Sequence, residues 1–176
     1  MKVLVLCGPE SSGKSWLSGE IQARFGGVTV GEYVRHFIES EQRDTCYADI
    51  PAIARGQLAW EDHARAQAPS VLILDTHLLS NILWSRVLFG DCPGWLEDAL
   101  LARHYDLHLL LSPQGVDWVG DGQRCQPRIE ERQTFFDDSQ AWLRRNGQRV
   151  QVIDGDWAQR RDQALTAVAE LVGVGL

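Results

Sequence analysis

The 176-residue chain is 44% hydrophobic and 23% charged, ordinary for a globular protein, and its length suits one domain that buries a full core without staples. A formal net charge of −7 argues against a binder of bulk nucleic acid or of an anionic membrane. No apolar run approaches a membrane span, and Met1-Lys2 leads straight into an apolar run with no cleavable signal, so a cytoplasmic protein is expected.

Val3-Leu4-Val5-Leu6-Cys7 reads as a buried first strand. Directly behind it, Gly8-Pro9-Glu10-Ser11-Ser12-Gly13-Lys14-Ser15 fits G-x-x-x-x-G-K-[ST], the phosphate-binding P-loop. Leu17, Ile21 and Phe25 follow at helical spacing, so the motif has its strand before and its helix after. Gly8 and Gly13 permit backbone angles and close approaches that turn successive N–H groups into one concavity. The positive end of the helix faces the same point. Lys14 is then expected on the outer phosphates and the Ser15 hydroxyl on Mg²⁺.

Four more apolar runs follow, at Val28 to Val30, Val71 to Leu74, Leu107 to Leu111 and Val150 to Ile153, with helical material between them. Strand-helix alternation with doubly buried strands predicts an α/β fold, a parallel sheet with helices on both faces and chemistry at the strands' carboxyl ends.

Asp49-Ile50-Pro51 opens a helix over Ala52 to Gln67 that carries Asp49, Ile53, Gln57, Trp60 and Ala64 along one stripe. Trp60 is either a core anchor or an aromatic at a ligand, and the pattern favours the core. The third run ends in Leu74-Asp75-Thr76, the form of a Walker B carboxylate that holds Mg²⁺; the alternative is a helix cap at Asp75 or Thr76. In the helix that follows, Leu79, Ile82, Leu83 and Val87 are expected inward, and Pro93 opens a further helix through Arg103. The segment at about 114–132 is rich in turn formers and carries Arg124, Arg128 and Arg132, which predicts a lid closing over phosphate. The alternative is a solvated loop with surface pairs such as Arg128 with Glu131. Asp154-Gly155-Asp156-Trp157 then opens a helix to Val172. Cys7, Cys46, Cys92 and Cys125 contain no C-x-x-C pair, so free and mostly buried thiols are expected.

Gly8 to Ser15, Gly31-Glu32-Tyr33-Val34-Arg35, Ile50-Pro51-Ala52-Ile53-Ala54-Arg55-Gly56-Gln57, Leu74-Asp75-Thr76 and Trp118-Val119-Gly120-Asp121-Gly122-Gln123-Arg124 together resemble the ribosylnicotinamide kinase domain of NadR-type proteins, in the right order over nearly the whole chain. The resemblance implies a three-layer P-loop sandwich with strand order 2-3-1-4-5 that transfers phosphate from ATP, with Mg²⁺, to the 5′-hydroxyl of nicotinamide riboside. With the P-loop starting at residue 8, no adenylyltransferase or helix-turn-helix domain is expected ahead of it. ATP and a small nucleoside are the expected partners, with neither nucleic acid nor membrane.

The site that the resemblance and the P-loop imply has three parts. Gly8, Glu10, Ser11, Ser12, Gly13, Lys14, Ser15, Trp16 and Arg124 would hold the nucleotide. Glu32, Tyr33, Asp49, Gln57, Trp60, Asp75 and Trp84 would hold the acceptor, whose cationic ring suits an aromatic face. Lys14, Asp75, Glu32, Arg124 and Arg128 would be catalytic, with Ser15 and Asp75 on the metal. Asp75 is assigned to Mg²⁺ and the substrate hydroxyl, and Glu32 to substrate contact or to the base; the two assignments are interchangeable. His36-Phe37, Gly120 and Trp16 depart from the family's pattern, which bears on the substrate more than on the fold. The rival readings are a P-loop kinase for another nucleoside or small metabolite, and a non-catalytic ATP-binding regulatory protein. Asp117-Trp118-Val119-Gly120 matches the D-x-x-G of GTPases, but it follows the fourth strand and no N-K-x-D occurs, so the match is taken as accidental.

Overall fold

The computed structural model describes residues 1–175. Five strands form one parallel sheet: β1 (Lys2–Cys7), β2 (Val28–Val30), β3 (Val71–Asp75), β4 (Leu107–Leu111) and β5 (Val150–Ile153), in the order β2-β3-β1-β4-β5. β1 lies at the centre, with Leu6 level with Asp75 on one side and with Leu109 on the other. The sheet order is the one the resemblance implies.

Because side chains alternate across a strand, the runs of β1, β3 and β4 each feed two cores, whereas β2 at the sheet edge sends Val28 and Val30 to one and exposes Thr29. Val3, Val5, Leu72, Leu74 and Leu110 face one side, under α3 (Ile50–Ala66), α4 (Leu78–Phe89), α5 (Trp95–Leu101) and α6 (Ile129–Arg145). Leu4, Leu6, Val71, Ile73, Leu107, Leu109 and Leu111 face the other, under α1 (Lys14–Phe25) and α7 (Trp157–Val172). Double coverage explains why β1, β3 and β4 lack an apolar-polar alternation. α2 (Tyr33–Glu41) buries no residue fully, and a single 3₁₀ turn, Tyr47–Asp49, leads into α3.

Three local expectations are corrected. Val87 is 51% exposed, because it falls with Arg86 and Leu88 on the solvent side of α4 while Phe89 of the same turn packs on the core, whereas Leu79, Ile82 and Leu83 are buried as expected. Trp60 is 38% exposed: the buried face of α3 runs through Ile53, Ala54, Gln57, Glu61 and Ala64, and Trp60 lies on its flank, packed against Tyr33 and His36. Of the four free thiols only Cys7 is buried, since Cys46 and Cys125 lie in connecting segments outside the two cores. No described helix is long and apolar enough to cross a membrane.

Candidate functional site: a phosphate cradle joined to an acceptor cleft

The carboxyl ends of β1, β2 and β3 open into a cavity of about 590 Å³. One wall is the P-loop from Glu10 to Trp16; another is Glu32, Val34, Arg35 and Ile38; α3 and α4 supply Ile53, Gln57, Ser80, Asn81 and Trp84; and Gly122 to Cys125 close over it.

The cradle is built by backbone. Gly8 and Gly13 both take positive φ, 127° and 95°, and Gly13 caps α1 without any side-chain bond, so the first-turn N–H groups of α1 stay free for an anion. Lys14 is 9% exposed, its ammonium donating to the carbonyls of Gly8 at 3.2 Å and Pro9 at 2.9 Å. These bonds hold the charge over the loop it serves.

Asp75 ends β3 and accepts the Ser15 hydroxyl on Oδ2 at 2.5 Å. Its Oδ1 is buried with no hydrogen-bond partner. Burial pushes the carboxyl above its usual range, with the charge of Glu32 acting in the same direction and Lys14 opposing. A buried carboxylate oxygen without a donor, beside a hydroxyl, is a hard-oxygen set that fits Mg²⁺. The alternative cap role fails, because α4 is capped at His77, with no side-chain bond from Asp75 or Thr76. Thr76 is buried at φ 79°, a conformation that costs a β-branched residue about 1–3 kcal/mol. This strained turn lets β3 end on Asp75 and send α4 back over the sheet.

Glu32 faces the cavity and accepts Arg35 Nε at 3.1 Å. Its loop is held from beneath by Gln57, which accepts the Tyr33 N–H at 2.8 Å and donates to the Gly31 carbonyl at 3.1 Å. Arg35 also reaches Asp121 at 2.8 Å. Burial opposes ionisation of Asp121, but Arg35 and the N–H groups of Gln123 and Arg124 hold it down to about 2. Arg124 Nη1 donates to the Val119 carbonyl at 2.5 Å. The segment over the phosphate cradle is thus an organised cover tied to α2 by an ion pair.

A profile of the family described as "AAA domain" matches residues 3–160, most of the chain. The chain belongs to that family. It is 25% identical over 178 residues to the trifunctional NAD biosynthesis/regulator protein NadR of Salmonella typhimurium and, equally, of Escherichia coli; each match covers 98% of this chain and 43% of the relative. The chain therefore spans less than half the length of these curated relatives. Its fold is that of a NadR protein solved in complex with NR, at TM-score 0.84 and 21% identity over 99% of this chain and 52% of that one. A NadR protein with NAD and AMP-PNP gives 0.81 at 20% identity, covering 99% of this chain and 50% of that one. Deoxyadenosine kinase from M. mycoides with bound dATP gives 0.61 at 15% identity, covering 96% of this chain and 99% of that one.

Against this AAA-domain frame, the residues expected at the site divide. Glu10, Ser11, Ser12, Gly13, Lys14, Ser15, Trp16, Glu32, Gln57, Trp84 and Arg124 line the cavity, and Asp75 lies directly behind Ser15. Asp49 does not: Arg43 grips it at 2.7 and 2.9 Å, and this pair together with the Cys46 N–H holds its carboxyl well below the usual range. Arg128 points outward, bound to Glu131 at 2.7 Å, because it precedes the first turn of α6 on its solvent side. Tyr33 and Trp60 pack on each other at 4.9 Å between ring centroids, outside the cavity wall.

Three residues that the sequence did not single out also matter. Asn81 lines the cavity one turn before Trp84. Arg35 bridges Glu32 and Asp121, a role its spacing of three from Glu32 on a helix signals. Arg160 is fully buried. Its signal is periodic: Arg160 falls on the apolar stripe of Ala164, Ala167, Val168 and Leu171, where a charge is out of place.

Proposed function

We propose that this protein is an ATP-dependent kinase that phosphorylates the 5′-hydroxyl of nicotinamide riboside. The observation that carries the reading is the single cavity in which a P-loop, with Lys14 and the Ser15–Asp75 pair, meets an acceptor half lined by Glu32 and Trp84. The likeness to NadR over 98% of the chain supports the choice of acceptor.

Phosphoryl transfer is mostly positioning and charge neutralisation. The first-turn N–H groups of α1 and the Lys14 ammonium hold the phosphates and spread their charge. Ser15 and Asp75 would hold Mg²⁺, which neutralises charge on the donor phosphates when bound. Glu32, oriented by Arg35, stands on the acceptor side and takes the proton of the attacking hydroxyl. The acceptor oxygen bonds to the terminal phosphorus, the bond to the ADP oxygen breaks, and the proton ends on the carboxylate. Asp44 and Glu32 make this half acidic, and with the Trp84 face they suit a cationic nucleoside better than an anionic metabolite.

The test is ADP release across nicotinamide riboside and the common nucleosides, with Lys14→Ala and Asp75→Asn as controls. The reading requires nicotinamide riboside to give the highest kcat/KM. If the wild type binds ATP and no nucleoside raises ADP release above background, the kinase reading is lost. If deoxyadenosine is preferred, the deoxyadenosine-kinase-like reading, which shares the fold, replaces it.

A further inference from the structure

Arg160 lies in the first turn of α7 and has no exposed surface. Its Nε donates to the Gly155 carbonyl at 2.7 Å. Nη1 donates to the carbonyls of Ser12 at 3.3 Å and Ser112 at 2.9 Å, and Nη2 to that of Gln114 at 2.6 Å. The four acceptors sit on three loops at the active end of the sheet: the P-loop, the loop after β4 that becomes the cover, and the turn after β5. None of them is a carboxylate. Each of the three nitrogens has an acceptor, but no carboxylate bonds them; the Asp154 charge acts only from further off, and the buried cation carries a desolvation cost.

Its place explains why the cost is worth bearing. The Ser12 carbonyl belongs to the peptide unit whose N–H is that of Gly13, at the start of α1. A cationic donor on that carbonyl polarises the N–H toward an anion on its far side. The guanidinium also stands 5.9 Å from the Trp157 ring, and that ring packs against Gly13 where a Cβ would fall. Charge and packing both converge on one glycine of the cradle.

We propose that Arg160 is a positioning residue that supplies fixed positive charge to the P-loop from behind and locks the cradle to the base of the cover. This rests on the reading that the P-loop holds nucleotide polyphosphate.

The experiment compares wild type, Arg160→Lys and Arg160→Gln by calorimetric titration with ATP and with inorganic tripolyphosphate. Lys keeps the charge and three N–H donors; Gln keeps two N–H donors without the charge. Arg160→Lys is expected to bind tripolyphosphate within about threefold of wild type, and Arg160→Gln at least about tenfold more weakly. Equal losses in the two variants, or none in Arg160→Gln, overturn the proposal. If Arg160→Gln does not fold, hydrogen exchange on the wild type decides: saturation with tripolyphosphate slows exchange at Ser112, Gln114 and Gly155, which touch Arg160 but lie outside the cradle, and unchanged exchange there overturns it. A wild type that binds no tripolyphosphate removes the P-loop reading as well, whereas normal wild-type binding with equal losses removes the Arg160 proposal alone.

Discussion

Glu10 Oε1 accepts the indole N–H of Trp118 at 2.8 Å, joining the P-loop to the cover across 108 positions of sequence. The same oxygen takes the Gln126 N–H at 2.6 Å and Oε2 takes that of Cys125 at 3.2 Å. Ser11 adds a second tie, accepting the Val119 N–H at 2.8 Å and donating to the Asp117 carbonyl at 3.2 Å. A carboxylate in a phosphate-binding loop would repel its ligand if it were free. Here its charge is spent on N–H donors, so it orders the cover instead.

Glu10→Ala removes three bonds to one charged acceptor, each worth about 1.5–3 kcal/mol. Amide exchange at Trp118, Cys125 and Gln126 is expected to accelerate by at least tenfold, with KM for ATP raised severalfold and the fold intact. Exchange mass spectrometry reads the first effect directly; unchanged rates over 117–126 would mean the cover is held elsewhere.

Asp75→Asn should separate stability from activity. The wild-type carboxyl is buried with Oδ1 unpartnered and its pKa raised, so its ionised form is a cost to the fold. Asn keeps an oxygen for the Ser15 hydroxyl and removes the charge. The melting temperature without ligand is expected to rise by about 2–4 °C for each kcal/mol relieved. Turnover is expected to fall at least about a hundredfold as the metal set is lost. A variant with both stability and turnover lowered would contradict this assignment.

Much of this arrangement is legible in the sequence because it is local. The P-loop, its strand and its helix are contiguous, and five apolar runs separated by helical spacing leave few parallel topologies. Asp75 is legible as an acid at a strand tip. What escapes is long-range pairing. Nothing near Asp49 in the chain distinguishes a ribose ligand from a partner of Arg43. Arg128 and Arg124 look alike until the start of α6 turns one outward. The strain at Thr76 is invisible because propensity gives no reason to place a β-branched residue at positive φ.

Trp84 and Trp60 now carry different expectations. Trp84 forms cavity wall and stacks at 5.2 Å on Phe135, whereas Trp60 lies outside against Tyr33 and His36. Trp84→Ala is expected to raise KM for nicotinamide riboside about thirtyfold, a desolvated cation–aromatic contact being worth about 2 kcal/mol, with KM for ATP unchanged. Trp60→Ala should change both by less than threefold. Isothermal titration with each ligand tests the contrast, and the reverse ranking would place the acceptor against α3 instead of α4.

His77 and His108 set a lower pH limit. Their Nε2 atoms approach to 3.2 Å in the core beside Tyr105, whose hydroxyl bonds Glu61 at 3.3 Å. Burial lowers the pKa of both, that of His108 to about 4, and at His77 the neighbouring His108 acts in the same direction. In the unfolded chain both titrate near 6.5. As pH falls below that value the unfolded state gains protons that the native state refuses, so stability is full above about 6.5 and declines toward about 4. The slope is expected to approach about 1.4 kcal/mol per pH unit for each histidine. Denaturant melts across this range in wild type and His108→Gln should show a shallower decline in the variant; identical slopes would locate the acid sensitivity elsewhere.

Gly56 tests how Glu32 is held. A Cβ at Gly56 would overlap the Tyr33 ring, whose N–H is bound by Gln57 one residue further along α3. Helix propensity alone would make Gly56→Ala stabilising by about 1 kcal/mol. The overlap instead forces Tyr33 off α3 and, with it, the Gly31–Tyr33 segment that aims Glu32. Turnover is expected to fall at least tenfold with KM for ATP within twofold, since the P-loop does not contact this segment through Gly56. Tyr33→Ala in the same chain removes the obstacle and should restore part of the loss. If the double variant recovers nothing, the overlap at Tyr33 is not what misplaces Glu32.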